Sequence, residues 1–177
     1  MIIINESYFQ GELYLPGLEH VKKTGVALAL QVVGDSDLSW FVNKYESEYL
    51  IKLLGENFAC KFLEGIQEEY PIQKWIDLKN RLSFAIGDNN YSPIANYIYY
   101  WVMRSGKTQT SIIGEKKGKA TYSSNAYIDY KVVKAWNDGV DMSVKFLDWL
   151  KENNSQYEEY QIDSPDWNIL SKINTII

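Results

Sequence analysis

A chain of 177 residues with 46% hydrophobic side chains has material for one core of ordinary size and no need of a second domain. Charged residues make up 23% and the net charge is -5, which argues against intrinsic disorder and against wholesale binding of nucleic acid, leaving both open for local segments. The 14 Tyr, 6 Trp and 6 Phe exceed what half-buried core positions explain, and the surplus points to association surfaces, where large rings with a polar edge are favoured.

The opening MIII lacks a basic region and a long apolar run, so it does not read as a signal peptide. Residues 1–34 carry short β-like runs, Ile2 to Ile4, Tyr8 with Phe9, and Leu13 to Leu15, broken by Gly11, Pro16 and Gly17; an extended N-terminal segment is expected. From Asp35 the period changes. Asp35 and Asp37 suit a helix N-terminus, Leu38, Phe41, Val42, Tyr45, Tyr49 and Leu53 recur at three and four, and Gly55 stands where a left-handed stop belongs.

A second helix is predicted over 57–67 on the stripe Phe58, Phe62, Ile66, with Cys60 read as a small buried hydrophobe. A lone cysteine makes no internal disulfide, which fits folding in a reducing cytoplasm. A shorter third helix carries Ile72, Trp75, Ile76 and Leu82, and the turn-rich GDNN follows at 87–90. Ser92 and Pro93 then offer a cap and a first helical residue. The helix they start, through Met103, is apolar on nearly every side, so Tyr97 and Trp101 are expected in the core. Its apolar run falls short of the roughly 20 residues that cross a bilayer.

The last strong helix is predicted over 126–151. Val133, Trp136, Val140, Val144 and Leu147 form one stripe and Ile128, Val132, Ala135, Met142, Phe146 and Trp149 another, which implies two neighbours and places Trp136, Val140 and Leu147 in the core. Gly139 between the stripes suits a close helix approach. Residues 154–177 are acidic and irregular. The fold expected is mainly α: one domain over 1–177, its helical core at 35–153 a bundle of four to five helices, with an arm at 105–124.

Chemical motifs are scarce. GKT at 106–108 lacks the first glycine of a phosphate loop, since Trp101 occupies that place, and it follows a helix where a phosphate loop follows a strand. His20 alone builds no metal site and reads as a loop residue, and Asp138 with Asp141 reads as a solvated face near Lys134 and Lys145. No catalytic set, no metal site and no cofactor is expected. The arm is the informative stretch. Arg104, Lys107, Lys116, Lys117 and Lys119 against Glu115 give +4 locally and leave -9 on the rest, a segregation that puts a positive strip beside phosphate or an acidic partner surface. A long polar loop that merely contains lysines has the same composition. Some 20 residues without a helix period are uncommon in a compact domain unless they act. Thr108, Thr110 and Ile112 alternate, Gly114 and Gly118 flank a turn, and 120–122 offers a return strand, so a projecting β-hairpin is predicted, with Thr108, Thr110, Ile112, Ile113 and Tyr122 touching a neighbouring subunit.

The blocks SPIANYIYYWVMR, TQTSIIGEKKGKA and KVVKAWNDGVD resemble head-to-tail connector, or adaptor, proteins of tailed phages infecting gut Bacteroidetes, over roughly residues 35–150. That resemblance implies a non-enzymatic virion subunit at the head–tail junction, made in the host bacterial cytoplasm. It further implies a homo-oligomeric ring that contacts the portal and other neck or tail proteins while genomic DNA passes without sequence specificity, and no membrane. The other expectation is a non-catalytic nucleic-acid-binding or regulatory module acting through 104–119.

Overall fold

A computed structural model describes residues 3–15, 38–105, 108–111, 114–117, 125–161 and 165–174. Among the described residues five α-helices run in chain order: α1 (Leu38–Leu54), α2 (Glu56–Gln67), α3 (Gln73–Leu82), α4 (Pro93–Ser105) and α5 (Asn125–Glu152). Two antiparallel hairpins interrupt them, β1 (Phe84–Ile86) with β2 (Asn89–Tyr91), and β3 (Thr108–Ser111) with β4 (Gly114–Lys117). The protein is mainly helical, a five-helix bundle with an N-terminal segment and a two-stranded arm.

α4 is the central element. The Ser92 hydroxyl accepts the Ile94 amide at 3.2 Å and Pro93 supplies the fixed φ of the first helical residue, so the start is set locally. Every residue from Pro93 to Tyr99 is buried, because α4 packs along α5 on one side and α1 on the other. Asn96, buried and donating to the Ala135 carbonyl at 2.7 Å, lies where a Cβ on Gly139 would come within 2.9 Å of its own Cβ. The glycine in α5 is thus the close-approach point its sequence position suggested.

α1 buries Leu38, Phe41, Val42, Tyr49 and Leu53 as its period predicts, and adds Leu50 and Leu54. It ends at Gly55, whose φ of 78° requires glycine, and α2 starts at once on the other side. α2 presents Phe58, Ala59, Phe62 and Gly65 to the core, and the indole of Trp75 from α3 lies across Gly65 in the space a side chain would occupy. Cys60 is exposed, not buried: one residue past Ala59, it falls on the opposite side of the helix from the Phe58–Phe62 stripe.

Other expectations shift with tertiary context. Residues 3–15 form 3-10 turns at Glu6–Tyr8 and Gly11–Leu13 in place of the expected β-like runs: Ile3, Ile4, Phe9 and Leu15 bury in the core, the first turn lies beside β2, where Asn90 donates to the Ser7 hydroxyl at 2.8 Å, and the second packs on α4 and α5. The Ile3 amide donates to the buried Glu46 carboxylate at 2.5 Å. GDNN is the tip of a hairpin, with Gly87 at φ 60° and Phe84 stacked on Tyr91 across the strands at 5.9 Å. Asp141 pairs with Lys172 at 2.7 Å and not with Lys145. The acidic C-terminal stretch is anchored on the bundle by a few of its described residues. Tyr157 and Tyr160 are buried beside Phe58, the Tyr157 hydroxyl donates to the Lys74 carbonyl, and Asn137 holds Ile173 by both its amide groups. His20, Asp35 and Asp37 lie outside the described residues.

Gly65→Ala is expected to destabilise the fold by about 1–3 kcal/mol, since the added methyl must displace the Trp75 indole. At roughly 2–4 °C per kcal/mol for a domain of this size, calorimetry would register it as a clear fall in the thermal midpoint; an unchanged midpoint contradicts the packing.

Candidate functional site

The arm joins the two helices of the central pair, leaving α4 at Ser105 and returning into α5. Its register is Thr108 opposite Lys117, Gln109 opposite Lys116, Thr110 opposite Glu115 and Ser111 opposite Gly114. The return strand therefore starts at Gly114, earlier than a turn between Gly114 and Gly118 would allow, and Lys116 and Lys117 stand on the strand away from its tip. Ladder pairing, which reaches to the adjacent Ser111 and Gly114, decides this where glycine positions alone do not. Among the described residues each strand pairs with the other, and neither packs extensively on a helix. Lys107, Ile112, Ile113, Lys119 and Tyr122 lie outside the described residues.

At the root of the arm α1, α4 and α5 build a continuous aromatic belt. Phe41 stacks on Tyr45 and Tyr45 lies nearly parallel to Trp101, with centroids 5.9 Å apart. Trp101 meets Tyr100 edge-on at 5.5 Å, and Tyr100 contacts Trp136 at 4.5 Å. Trp40, half exposed, extends the belt outward from Phe41. The spacing along α4 explains the arrangement: Tyr97, Tyr100, Trp101 and Arg104 recur at three and four and share one side of the helix. Trp101 and Trp136, expected in the core, are half-buried at its margin, whereas Tyr97, Val140 and Leu147 are buried.

Three cations sit on this belt. Arg104 donates to the Tyr100 hydroxyl at 2.7 Å and lies 5.8 Å from the Trp101 ring centre. Lys44 is 5.0 Å from the rings of both Trp40 and Tyr45. Lys52 bonds Glu48 at 2.7 Å and Tyr97 at 3.1 Å, and Tyr97 also donates to Glu48 at 2.8 Å. Lys52 is thus neutralised by Glu48, whereas Arg104 and Lys44 make no ion pair among the described residues and hold positive charge over ring faces. The Trp101 Nε1–H is shut off from solvent and has no hydrogen-bond partner among the described residues. A buried donor left unpaired is unusual, and this one lies beside Arg104 at the root of the arm.

The electrostatics of the Glu48 group follow from its bonds. Burial pushes the carboxyl up, but the hydrogen bonds from Lys52 and Tyr97 and the charges of Lys52 and Lys44 outweigh it and hold Glu48 below the ordinary range. Burial is also the main force on Tyr97, whose phenol is pushed up to about 12 with help from Glu48.

Among the described residues no group of three or more His, Cys, Asp or Glu side chains is placed to hold a metal ion, and no helix is long and apolar enough to cross a membrane. Compared with family models, curated proteins and solved structures, the chain matches none. Composition signals the aromatic belt, but the pairing of Tyr45 with Trp101 across two helices has no signature in either helix alone.

The lowered Glu48 group stabilises the fold above the ordinary carboxyl value of 4.5, and that contribution is lost as pH falls through the lower folded value. Glu48→Gln should therefore narrow the difference in thermal midpoint between pH 7 and pH 3 relative to the unaltered protein. An identical acid dependence in the two proteins contradicts the Lys52–Glu48–Tyr97 arrangement.

Proposed function

We propose that the protein is a structural virion subunit, one copy in a head-to-tail connector ring that adjoins the portal and surrounds the DNA path. The observation that carries this reading is the β3–β4 arm, a two-stranded hairpin projecting from the seam of the two central helices and paired only with itself among the described residues. A lone hairpin of this size is marginal in water, so its strand edges gain most from a neighbouring chain. The aromatic belt with Arg104 at the arm's root supports the same reading. The chain resembles connector proteins in the three blocks that fall on α4, the arm and the middle of α5.

Charge distribution fits a subunit past which DNA slides. A net charge of -5 keeps the body from gripping phosphate, while β4 brings Lys116 and Lys117 together on one strand of a projecting element. Partners under this proposal are further copies of the chain, the portal and neighbouring neck or tail proteins, with no cofactor and no catalytic role. The virion's head–tail junction is its location.

Replacing residues 108–117 by a Gly/Ser linker of equal length tests the reading. The thermal midpoint of the purified protein should stay within a few degrees, since the arm packs little on the body. Particles from complemented infections should then lack the protein and carry no stably joined tails. Normal incorporation of the linker variant sinks the arm-mediated assembly. Tight duplex-DNA binding, steeply weakened by salt, together with absence of the unaltered protein from particles, would transfer the assignment to a nucleic-acid-binding regulator.

A further inference from the structure

The two ends of α3 carry surfaces that fit each other. At its N-terminal end the α2–α3 connection reads Glu68, Glu69, Tyr70, Pro71, Ile72, and Tyr70 is 81% exposed with Ile72 also exposed. Both glutamates are exposed, and neither makes an ion pair among the described residues. At its C-terminal end lies an open cavity of about 190 Å³ between α3, β1 and α5. Phe84, Met142 and Phe146 line its apolar part, and the exposed Asn80, Arg81 and Lys145 form its rim. Arg81 and Lys145 likewise make no ion pair among the described residues, and the Arg81 guanidinium lies 5.8 Å from the Trp149 ring centre, which fixes its direction.

We propose that the Glu68–Ile72 loop of one subunit plugs the cavity at the far end of α3 in a second copy of this chain, joining subunits head to tail. This rests on the ring reading above and names the contact that would propagate the ring. Size agrees: an apolar cavity of about 150 Å³ admits a benzene molecule, so this one admits the Tyr70 ring. Charge agrees as well. Glu68 and Glu69 precede Tyr70 by two residues and one, within about 7 Å along an extended chain, so a seated ring brings their carboxylates to Arg81 and Lys145 on the rim. Tyrosine in a desolvated pocket ringed by charge pairs is the usual composition of an interface anchor.

The plug cannot fill its own socket. Ten residues of rigid helix hold the two about 15 Å apart, so the contact is between molecules. Plug and socket are different patches, which makes the interface heterologous. Such a contact leaves one free plug and one free socket after every addition, and it ends only when a ring closes.

Sedimentation equilibrium of the purified full chain, over a wide concentration range at low salt, provides the test. The unaltered protein should associate beyond a dimer. Tyr70→Ala, the pair Glu68→Arg with Glu69→Arg, and the pair Arg81→Glu with Lys145→Glu should each weaken association about tenfold or more, with thermal midpoints within a few degrees of the original because all five side chains are exposed and Arg81 gives up only its contact with Trp149 and its place in the last turn of α3. An equimolar mixture of the two charge-reversed proteins should recover it, since each loop then finds a rim of opposite sign on the other protein. A mixture that stays apart, a Tyr70→Ala protein that associates like the original, association that stops at a dimer, or an original protein that remains monomeric would each overturn the proposal. Any of these results with the protein still present in particle necks removes this contact and leaves the ring reading in place; absence from particles removes the ring reading whatever the solution result.

Discussion

The approach of α4 to α5 at Asn96 and Gly139 is the constraint on which the rest of the molecule depends. A helix buried from Pro93 to Tyr99 must be walled on several sides, and its closest wall is α5, near enough that a methyl group on Gly139 would collide with Asn96. Asn96 turns the contact from mere proximity into register, because its amide donates to the Ala135 carbonyl one helical turn away from the glycine. A buried amide without that partner would cost about 1–3 kcal/mol, so sliding α5 along α4 is opposed by polar as well as steric terms. A second polar lock acts between α1 and α5, where the Tyr49 and Ser143 hydroxyls meet at 2.6 Å in the interior.

Once α4 and α5 are registered, the outer parts follow. The arm leaves one helix and enters the other, so its root belongs to the most extensively packed pair of helices among the described residues. The belt is the outer edge of the same packing: rings that begin in the core at Tyr97 continue outward through Trp101 and Tyr100 to Trp136. Both terminal segments close on this frame. Glu12 reaches Lys134 at 2.7 Å, and the Trp136 indole donates to the Ser171 carbonyl at 2.8 Å.

Polar groups at the margins are arranged more for placement than for strength. Lys134 bridges Glu12 and Asp138 at an exposed site, where ion pairs contribute little to stability. Glu48 differs, because Lys52 and Tyr97 both bond it at the belt's inner edge and join the α1 surface to the central helix. The Trp101 donor beside Arg104, without a partner among the described residues, is the conspicuous exception there, where buried polar groups are otherwise largely bonded.

All five helices are legible in the amino-acid sequence, because a helix that packs on one or two neighbours writes a three-and-four period into its own residues. Leu38 to Leu53, the Ser92–Pro93 start and Gly139 could be read this way, and local sterics fix the Gly55 stop. A hairpin at the arm was also legible from its β-branched alternation and its length. What only the tertiary structure decided are features whose cause lies far along the chain. Ile3, Phe9, Tyr157 and Tyr160 turn terminal segments into packed straps because helical surfaces distant in sequence stand ready to cover them. Cys60 faces outward because Phe58 and Phe62 claim the core side of α2, and the arm's register follows cross-strand pairing and not glycine spacing. The cavity at the C-terminal end of α3 belongs to the same class: Asn80, Arg81 and Phe84 are near in sequence, but it needs Met142, Lys145 and Phe146 from a helix some sixty residues away. Periodicity carries information about a residue's own element; burial, register and cavities are set by which elements meet.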